Sequence, residues 1–253
     1  MAEMLKGKKI LIAGAGGLLG SQLVKKIIEE GGYVISGDNN PDVAQEKFDR
    51  LGITENYELH QLDITSVDSV RSLLAGSSEL DGAVNVTYPR NKTYGTHFFD
   101  VTIDSFNENL SLHLGSSFLF AQQCASYFQR NLKPFSLVNI SSIYGVVAPK
   151  FDIYDNTSMT MPVEYAAIKS ALLHLNKYIV AYINDSRFKI NAVSPGGIFD
   201  HQPEAFLQAY KKETNGAGML DVKEILGSIV FLLSDESKYV TGQNIIVDDG
   251  FTL

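Results

Sequence analysis

A tyrosine and a lysine four positions apart, Tyr165 and Lys169, are the side chains in this sequence best placed for proton transfer. On a helix that spacing puts both on one face, about one turn from each other. An ammonium group near a phenol favours the phenolate and lowers the tyrosine pKa toward the range in which a general acid or base operates. The same spacing also occurs on ordinary solvated helix faces. The motifs in the rest of the sequence therefore have to distinguish a proton-transfer pair from a solvated surface pair.

A glycine-rich turn near the start of the chain predicts a dinucleotide site. It follows a short apolar run, Lys9–Ala13, and precedes a segment whose apolar residues recur at helical spacing. This is the context that a dinucleotide fingerprint requires, and the free N–H groups at the helix start attract phosphate. We expect Gly14 to permit the tight turn, Gly17 to let the backbone approach a pyrophosphate, and Gly20 to let the helix pack on the sheet. The cofactor-binding candidates of this turn are Gly14, Gly16, Gly17, Leu18, Leu19 and Gly20.

A carboxylate, Asp38, stands at the end of the second predicted strand, Tyr33–Gly37. In that position it can accept hydrogen bonds from the adenosine ribose hydroxyls and repel a 2′-phosphate. Asn39, Asn40 and Pro41 follow, with no arginine or lysine beside the carboxylate. The sequence therefore favours NAD over NADP, and the alternative is an Asp that only initiates a turn.

The elements that must position these residues alternate between strand and helix patterns. Strands are predicted at Lys9–Ala13, Tyr33–Gly37, Tyr57–Leu62, Gly82–Val86, Phe135–Ile140, Phe188–Val193 and Asn244–Val247. Alternating strands and helices form parallel sheets with right-handed crossovers. We therefore predict a single α/β domain over residues 1–253, with a doubly wound parallel sheet of about seven strands and helices on both faces. Ligands bind at the carboxyl ends of the strands of such a sheet.

The combined motifs resemble the short-chain dehydrogenase/reductase family, which has a Rossmann-type fold. A strand-end pair, Ser141 and Ser142, precedes Tyr165, and a strand-end Pro195-Gly196 follows it. The resemblance implies that Ser142 holds the substrate oxygen, that Tyr165 exchanges the proton of the hydroxyl, and that Lys169 assists it and binds the nicotinamide ribose. It implies an NAD(P)-dependent oxidoreductase that interconverts a secondary alcohol and a ketone.

The same resemblance assigns further cofactor contacts to the strand ends. The residues concerned are Asp63 and Ile64 at the adenine, Asn85 beside the cofactor, and Pro195, Gly196 and Ile198 at the nicotinamide. His113 stands where the family has an asparagine, within a long predicted helix at Ile103–Gln129. Since histidine can hydrogen-bond a water or a carbonyl group, it is a candidate member of the proton path, and a satisfied core histidine is the alternative. The glycine spacing is similar to that of longer members that modify sugar nucleotides.

The substrate side is predicted from the loops at this edge of the sheet. Pro149–Pro162 reads as a loop over the site, with Phe151 and Tyr154 as rings, and Asp152, Asp155 and Asn156 as acceptors, for a sugar. Pro203–Gly218 is a candidate lid with a helical centre. Three cations, Arg90, Lys92 and Lys150, follow strands four and five and are expected to converge on the substrate, with Tyr88 as a further ring beside them.

Overall similarity to bacterial oxidoreductases encoded with flagellin-glycan and sialic-acid-like sugar pathways implies a sugar derivative as substrate. Two alternatives remain open at this point. One is a nucleotide-sugar epimerase or dehydratase that retains its NAD. The other is a non-catalytic binding protein of this fold, because the stretch after Asn85 and the residue at position 113 depart from the family pattern.

The composition of the chain bears on the kinds of molecule that it binds. The formal charge of −8 and the pI near 5.1 argue against non-specific binding to nucleic acid or to an anionic membrane. One cysteine, Cys124, excludes an intramolecular disulfide. No signal peptide, membrane span or metal-ligand cluster is evident, which predicts a cytoplasmic protein without a metal. The resemblance implies a homodimer or homotetramer through the helices at Ile103–Gln129 and Val163–Ile183.

Overall fold

Seven parallel strands form one sheet, in the order β3-β2-β1-β4-β5-β6-β7. The computed structural model describes residues 3–253. The strands are β1 (Lys9–Ala13), β2 (Tyr33–Asp38), β3 (Tyr57–Gln61), β4 (Gly82–Asn85), β5 (Phe135–Ile140), β6 (Phe188–Pro195) and β7 (Asn244–Val247). The strand order reverses between β1 and β4, so the two halves of the sheet run outward from this point. The predicted doubly wound parallel sheet is confirmed, with β6 two residues longer than expected.

Helices cover the sheet. Within residues 3–253 the α-helices are α1 (Leu18–Glu29), α2 (Pro41–Arg50), α3 (Val67–Gly76), α4 (Ile103–Asn109), α5 (Ser116–Asn131), α6 (Val163–Ile183), α7 (Glu204–Lys212) and α8 (Leu226–Leu233). Short 3-10 turns occupy Phe98–Asp100, Ile143–Gly145, Phe151–Tyr154, Val222–Ile225 and Asp235–Ser237. None of the helices in this part of the chain is both long enough and apolar enough to cross a bilayer.

Two hydrophobic cores lie on opposite faces of the sheet. In β1, Ile10 and Ile12 pack into one core with α1, α2 and α8, while Leu11 and Ala13 pack into the other with α3, α5 and α6. Successive side chains of a strand point to opposite faces, so a strand covered on both sides must be apolar throughout. This explains why the buried strands read as continuous apolar runs in the sequence.

The long helix predicted at Ile103–Gln129 differs from expectation in its middle. It runs from Ile103 to Asn131, but a π-helical segment, Leu110–Gly115, separates α4 from α5. A π-helical turn widens the helix locally and is frequent at functional sites. His113 lies within this segment and is only 2% exposed.

Candidate active site

A cavity of about 930 Å³ opens at the carboxyl edge of the sheet. Most of the residues predicted from the sequence line it: Gly14, Gly16, Gly17, Leu18, Leu19, Asp38, Asp63, Ile64, Ser142, Tyr165, Lys169, Pro195, Gly196 and Ile198. Gly20, Asn85 and His113 are buried behind its wall instead. The fold therefore brings residues from distant parts of the chain to one site.

The glycine turn between β1 and α1 is packed so closely that side chains have no room there. Gly14 has φ of +90°, a backbone conformation that favours glycine. A Cβ on Gly20 would collide with the carbonyl oxygen of Gly14, and one on Gly16 would lie 2.9 Å from the Cβ of Ala44. The turn is thus closely packed, while Leu18 and Leu19 at the start of α1 line the cavity.

Asp38 connects the end of β2 to this turn. Its Oδ2 accepts a hydrogen bond from the Gly16 N–H at 2.7 Å, and its Oδ1 accepts one from the Asn40 N–H at 2.9 Å. The Lys47 ammonium, from α2, donates to the Gly16 carbonyl at 2.6 Å. No cation adjoins Asp38 in the sequence, and Lys47 reaches the turn only through the fold.

Asp63 and Ile64 form the next part of the wall, after β3. The Oδ1 of Asp63 accepts from the backbone N–H and the hydroxyl of Thr65, at 2.9 and 2.6 Å. The carboxylate therefore orders its own turn while it faces the cavity.

Tyr165, Lys169 and Ser142 meet where α6 crosses the end of β5. The Lys169 ammonium donates to the Ile140 carbonyl at 2.8 Å and lies 5.4 Å from the centroid of the Tyr165 ring. Ser142 accepts a hydrogen bond from the Tyr144 N–H at 3.2 Å. The hydroxyl and ammonium groups that the sequence singled out thus share one end of the cavity.

Burial is the largest influence on the pKa values of Lys169 and Tyr165. It lowers the pKa of Lys169 to about 7, since the charged ammonium loses its hydration. Burial also raises the pKa of Tyr165, and a hydrogen bond to Ser142 acts in the opposite direction. The expected lowering of the Tyr165 pKa is therefore wrong for this structure, because burial is the largest cause and raises it.

His113 lies directly beside Lys169, with 3.4 Å between Nε2 and Nζ. Burial, followed by the charges of Lys169 and Arg90, lowers the pKa of His113 to about 2, so the imidazole is neutral near pH 7. Facing an ammonium, Nε2 is assigned as the acceptor, which puts the ring proton on Nδ1. Within residues 3–253 this buried Nδ1 has no hydrogen-bond partner, unlike that of a satisfied core histidine.

The stretch after β4, which departs from the family pattern, brings the ring of Tyr88 against that of Tyr165, and these two rings form an aromatic wall of the cavity. Asn85 accepts from the N–H and hydroxyl of Thr87, at 3.1 and 2.7 Å, which shapes the turn. The next residue, Tyr88, places its ring edge-on to Tyr165 and to His113, with centroids 5.7 and 5.1 Å apart. The Tyr88 hydroxyl donates to Tyr94 at 2.6 Å. The sequence indicates that this stretch departs from the family pattern, but it does not indicate where the ring of Tyr88 lies.

The Pro195-Gly196 turn is held by the candidate lid. The Gly197 N–H donates to the hydroxyl of Tyr210, on α7, at 2.6 Å. The ring of Tyr210 stacks on Phe251, with centroids 4.7 Å apart. The predicted helical centre of Pro203–Gly218 is therefore α7, which packs directly against the loop expected to bind nicotinamide.

The expected convergence of three cations on the substrate is wrong. Lys150 forms an ion pair with Glu213 at 2.9 Å and donates to the Phe251 carbonyl at 3.0 Å. Lys92 is exposed and, unlike Arg90, does not line the cavity. Of the proposed sugar-facing residues, Tyr88 and Tyr154 line the cavity, whereas Phe151, Asp152, Asp155 and Asn156 do not. The rest of the fold already engages Lys150, which sequence position alone cannot show.

Comparison with known proteins agrees with this geometry. A family model described as enoyl-(acyl carrier protein) reductase matches residues 14–252. Post-translational flagellin modification protein A of Campylobacter coli is 38% identical, over 99% of this chain and 100% of the relative. The 7alpha-hydroxysteroid dehydrogenase of Bacteroides fragilis is 25% identical, over 98% of this chain and 95% of its own.

Solved structures show the same architecture. A short-chain dehydrogenase from Leptospira borgpetersenii with bound NAD+ superposes with a TM-score of 0.86 at 30% identity, covering 99% of this chain and 95% of that one. A tyrosine and a lysine four positions apart on one helix, a glycine turn and a seven-stranded parallel sheet thus occur together with full-length similarity to dehydrogenases. The chain belongs to the short-chain dehydrogenase/reductase family and is an NAD(P)-dependent oxidoreductase.

Proposed function

We propose that the protein uses NAD to interconvert a secondary alcohol and a ketone on a sugar derivative, in a flagellin or surface-glycan pathway. The observation that carries this proposal is the meeting of Ser142, Tyr165 and Lys169 at one end of a cavity whose other end is the glycine turn. A dinucleotide spanning the cavity would bring its nicotinamide to the hydroxyl groups.

The residues present fit NAD. The first turn of α1, at Leu18 and Leu19, leaves backbone N–H groups free at the cavity, and Asp38 offers a carboxylate to a ribose. A 2′-phosphate on the cofactor would meet that negative charge, which favours NAD over NADP. Lys47 contacts the turn from the carbonyl side of Gly16 and forms no ion pair with Asp38. When bound, NAD supplies the hydride chemistry.

The chain's own groups handle the substrate oxygen and its proton. Ser142 would donate a hydrogen bond to the carbonyl oxygen and stabilise the charge that develops there. Tyr165 would give its proton to that oxygen in reduction and take it back in oxidation. A tyrosine whose pKa is raised by burial holds its proton until charge develops nearby.

Lys169 and His113 extend this proton path. With a pKa of about 7, Lys169 can gain or lose a proton at working pH. The Nε2 of His113 accepts a hydrogen bond from it at 3.4 Å. We propose that His113 takes the place of the family's asparagine by keeping Lys169 oriented.

The sugar assignment rests on the Campylobacter coli relative, whose name describes flagellin modification. The aromatic wall suits it, because aromatic rings present apolar faces to a sugar. We also propose a homodimer or homotetramer, since Phe118 of α5 and Tyr178 and Tyr182 of α6 are 47%, 62% and 74% exposed. A cytoplasmic location remains a prediction that cell fractionation would test.

Purified protein, NAD and a panel of sugar derivatives with free secondary hydroxyls test the proposal. We expect a nicotinamide absorbance signal with at least one of them, abolished in Ser142→Ala. A nucleotide-sugar epimerase or dehydratase would instead convert substrate without releasing NADH. Tight NAD binding with no conversion across the panel would contradict the proposed reaction.

A further inference from the structure

Arg90 is a cation without a protein partner on the wall of the cavity. Arg90 lines the cavity beside the aromatic wall, and its guanidinium Cζ lies 4.8 Å from the centroid of the Tyr88 ring. Within residues 3–253 it forms no ion pair and no side-chain hydrogen bond, although acidic residues outnumber basic ones by 29 to 21. Lys150, which also follows a strand at this edge of the sheet, forms an ion pair with Glu213 instead.

The chain on both sides of Arg90 is held in place. Tyr88 packs edge-on against Tyr165 and donates its hydroxyl proton to Tyr94. On the other side, the Asn91 N–H donates to the Oδ1 of Asn109 at 3.0 Å, and Asn109 is fully buried. Arg90 therefore projects from a short stretch anchored at both ends, which reduces the entropy lost when it binds a ligand.

The same anchor connects Arg90 to the catalytic helix. Asn109 also donates to Oε1 of Glu164 at 3.2 Å, and Glu164 directly precedes Tyr165 on α6. The Tyr88 ring contacts both functional groups, with its centroid 4.8 Å from the guanidinium carbon and 5.7 Å from the centroid of the Tyr165 ring. The sum of these two distances is therefore the greatest possible separation of the guanidinium carbon from the Tyr165 ring. One small molecule can span it.

We propose that Arg90 is a binding subsite for an oxyanion, a phosphate or a carboxylate, carried by the substrate away from the carbon that reacts. This proposal rests on the proposed function, which defines the part of the substrate that reacts. An arginine stacked on an aromatic ring keeps the N–H groups at the edge of its plane free, and these match two oxygens of an oxyanion. The subsite would select anionic sugar derivatives over neutral ones.

Binding of three matched probes tests this subsite: a hexose monophosphate, a hexuronate and the parent hexose. The protein is first saturated with NAD, because the free glycine turn would itself bind phosphate. Ligand-observed NMR then gives the affinity of each probe for the wild type and for Arg90→Ala and Arg90→Lys. The control is Lys92→Ala, which removes an exposed cation from the same loop without touching the cavity wall.

We expect Arg90→Ala to weaken binding of a charged probe at least tenfold and to leave the parent hexose unchanged. Arg90→Lys should fall between, since it keeps the charge and loses the paired geometry. Whichever charged probe shows the larger Arg90-dependent loss identifies the anion as phosphate or carboxylate. Lys92→Ala should bind all three probes as the wild type does.

Several results would overturn the subsite. They are the absence of any preference for a charged probe in the wild type, an equal loss for charged and neutral probes, and a parallel loss of NAD affinity in Arg90→Ala. Binding of the probes can be measured without turnover. If the wild type prefers charged probes through Arg90 but forms no NADH, the anion subsite stands and the proposed reaction is wrong.

Discussion

The Nε2 atom of His113 lies 3.4 Å from the Nζ atom of Lys169, and the histidine belongs to the π-helical segment between α4 and α5. The helix is therefore widened at the point where the imidazole of His113 contacts Lys169 of α6. The pair links an unusual local backbone to the most strongly perturbed cation of the site. It also provides a direct way to examine the proposed proton path.

Replacing His113 should change how the site responds to pH. His113→Leu removes the acceptor beside Lys169, so we expect kcat to fall about tenfold and the pH profile of kcat to shift. His113→Asn restores a polar group of the family's type and should recover most of the activity. Equal losses in both variants, with unchanged pH profiles, would mean that the histidine only fills space.

Lys169 should make the stability of the protein depend on pH. Burial lowers its pKa from 10.5 to about 7, so between these values the unfolded chain binds more protons than the folded one. The free energy of unfolding should then rise with pH across this window, by about 1.4 kcal/mol for each full unit. From pH 7 to 9 we expect a gain of about 1–3 kcal/mol from this residue.

Urea unfolding at pH 7 and pH 9 measures this dependence. Lys169→Met keeps an unbranched side chain but cannot titrate, so its curve should lack the gain. A wild type and a variant that change in parallel between the two pH values would show that Lys169 is not the group responsible.

The glycine turn should be sensitive at Gly16. An added Cβ would lie 2.9 Å from the Cβ of Ala44 and 3.0 Å from Oδ2 of Asp38, so Gly16→Ala must displace one of them. We expect NAD affinity to fall at least tenfold by calorimetry. Gly227→Ala is the control, because its Cβ meets nothing within 4 Å on α8 and replaces glycine with a better helix former. Similar NAD affinities in the two variants would contradict the role of the turn.

Cofactor preference should follow the charge at the end of β2. The wild type is expected to prefer NAD, and Asp38→Ala with Asn39→Arg should shift the ratio of kcat/KM toward NADP. Side-by-side kinetics with both cofactors decide this, and a wild type that prefers NADP would refute the assignment. Lys47→Met is informative here, because its ammonium lies at the same turn.

The sequence predicted the strands and the main site residues because their signals are local. Apolar runs covered on both faces, such as Lys9–Ala13, show where strands lie, and a glycine required by close packing, such as Gly20, shows where a turn lies. The end of each strand then follows from the parallel topology, which places Asp38 and Ser142 at one edge. Such features need no knowledge of long-range contacts.

Features that depend on long side chains or on helix packing could not be predicted in the same way. Lys47 and Lys150 reach partners that only the folded chain brings near, and the π-helical segment has no distinct sequence signal beyond Gly115. The pKa of Tyr165 was also mispredicted, because four-residue spacing indicates proximity but says nothing about the loss of solvent. The sequence therefore shows that Lys169 lies near Tyr165, but it does not show how strongly burial changes the pKa of either residue.

The turnover of Tyr165→Phe tests the central claim most directly. The variant keeps the ring and removes the proton donor, so kcat should fall by at least about 10²-fold, the contribution typical of a general acid–base group. NAD affinity should change less than about twofold, and Tyr239→Phe, which alters a tyrosine that is 91% exposed and does not line the cavity, should retain full activity. Turnover by Tyr165→Phe close to that of the wild type would contradict the assignment of Tyr165 as the proton donor.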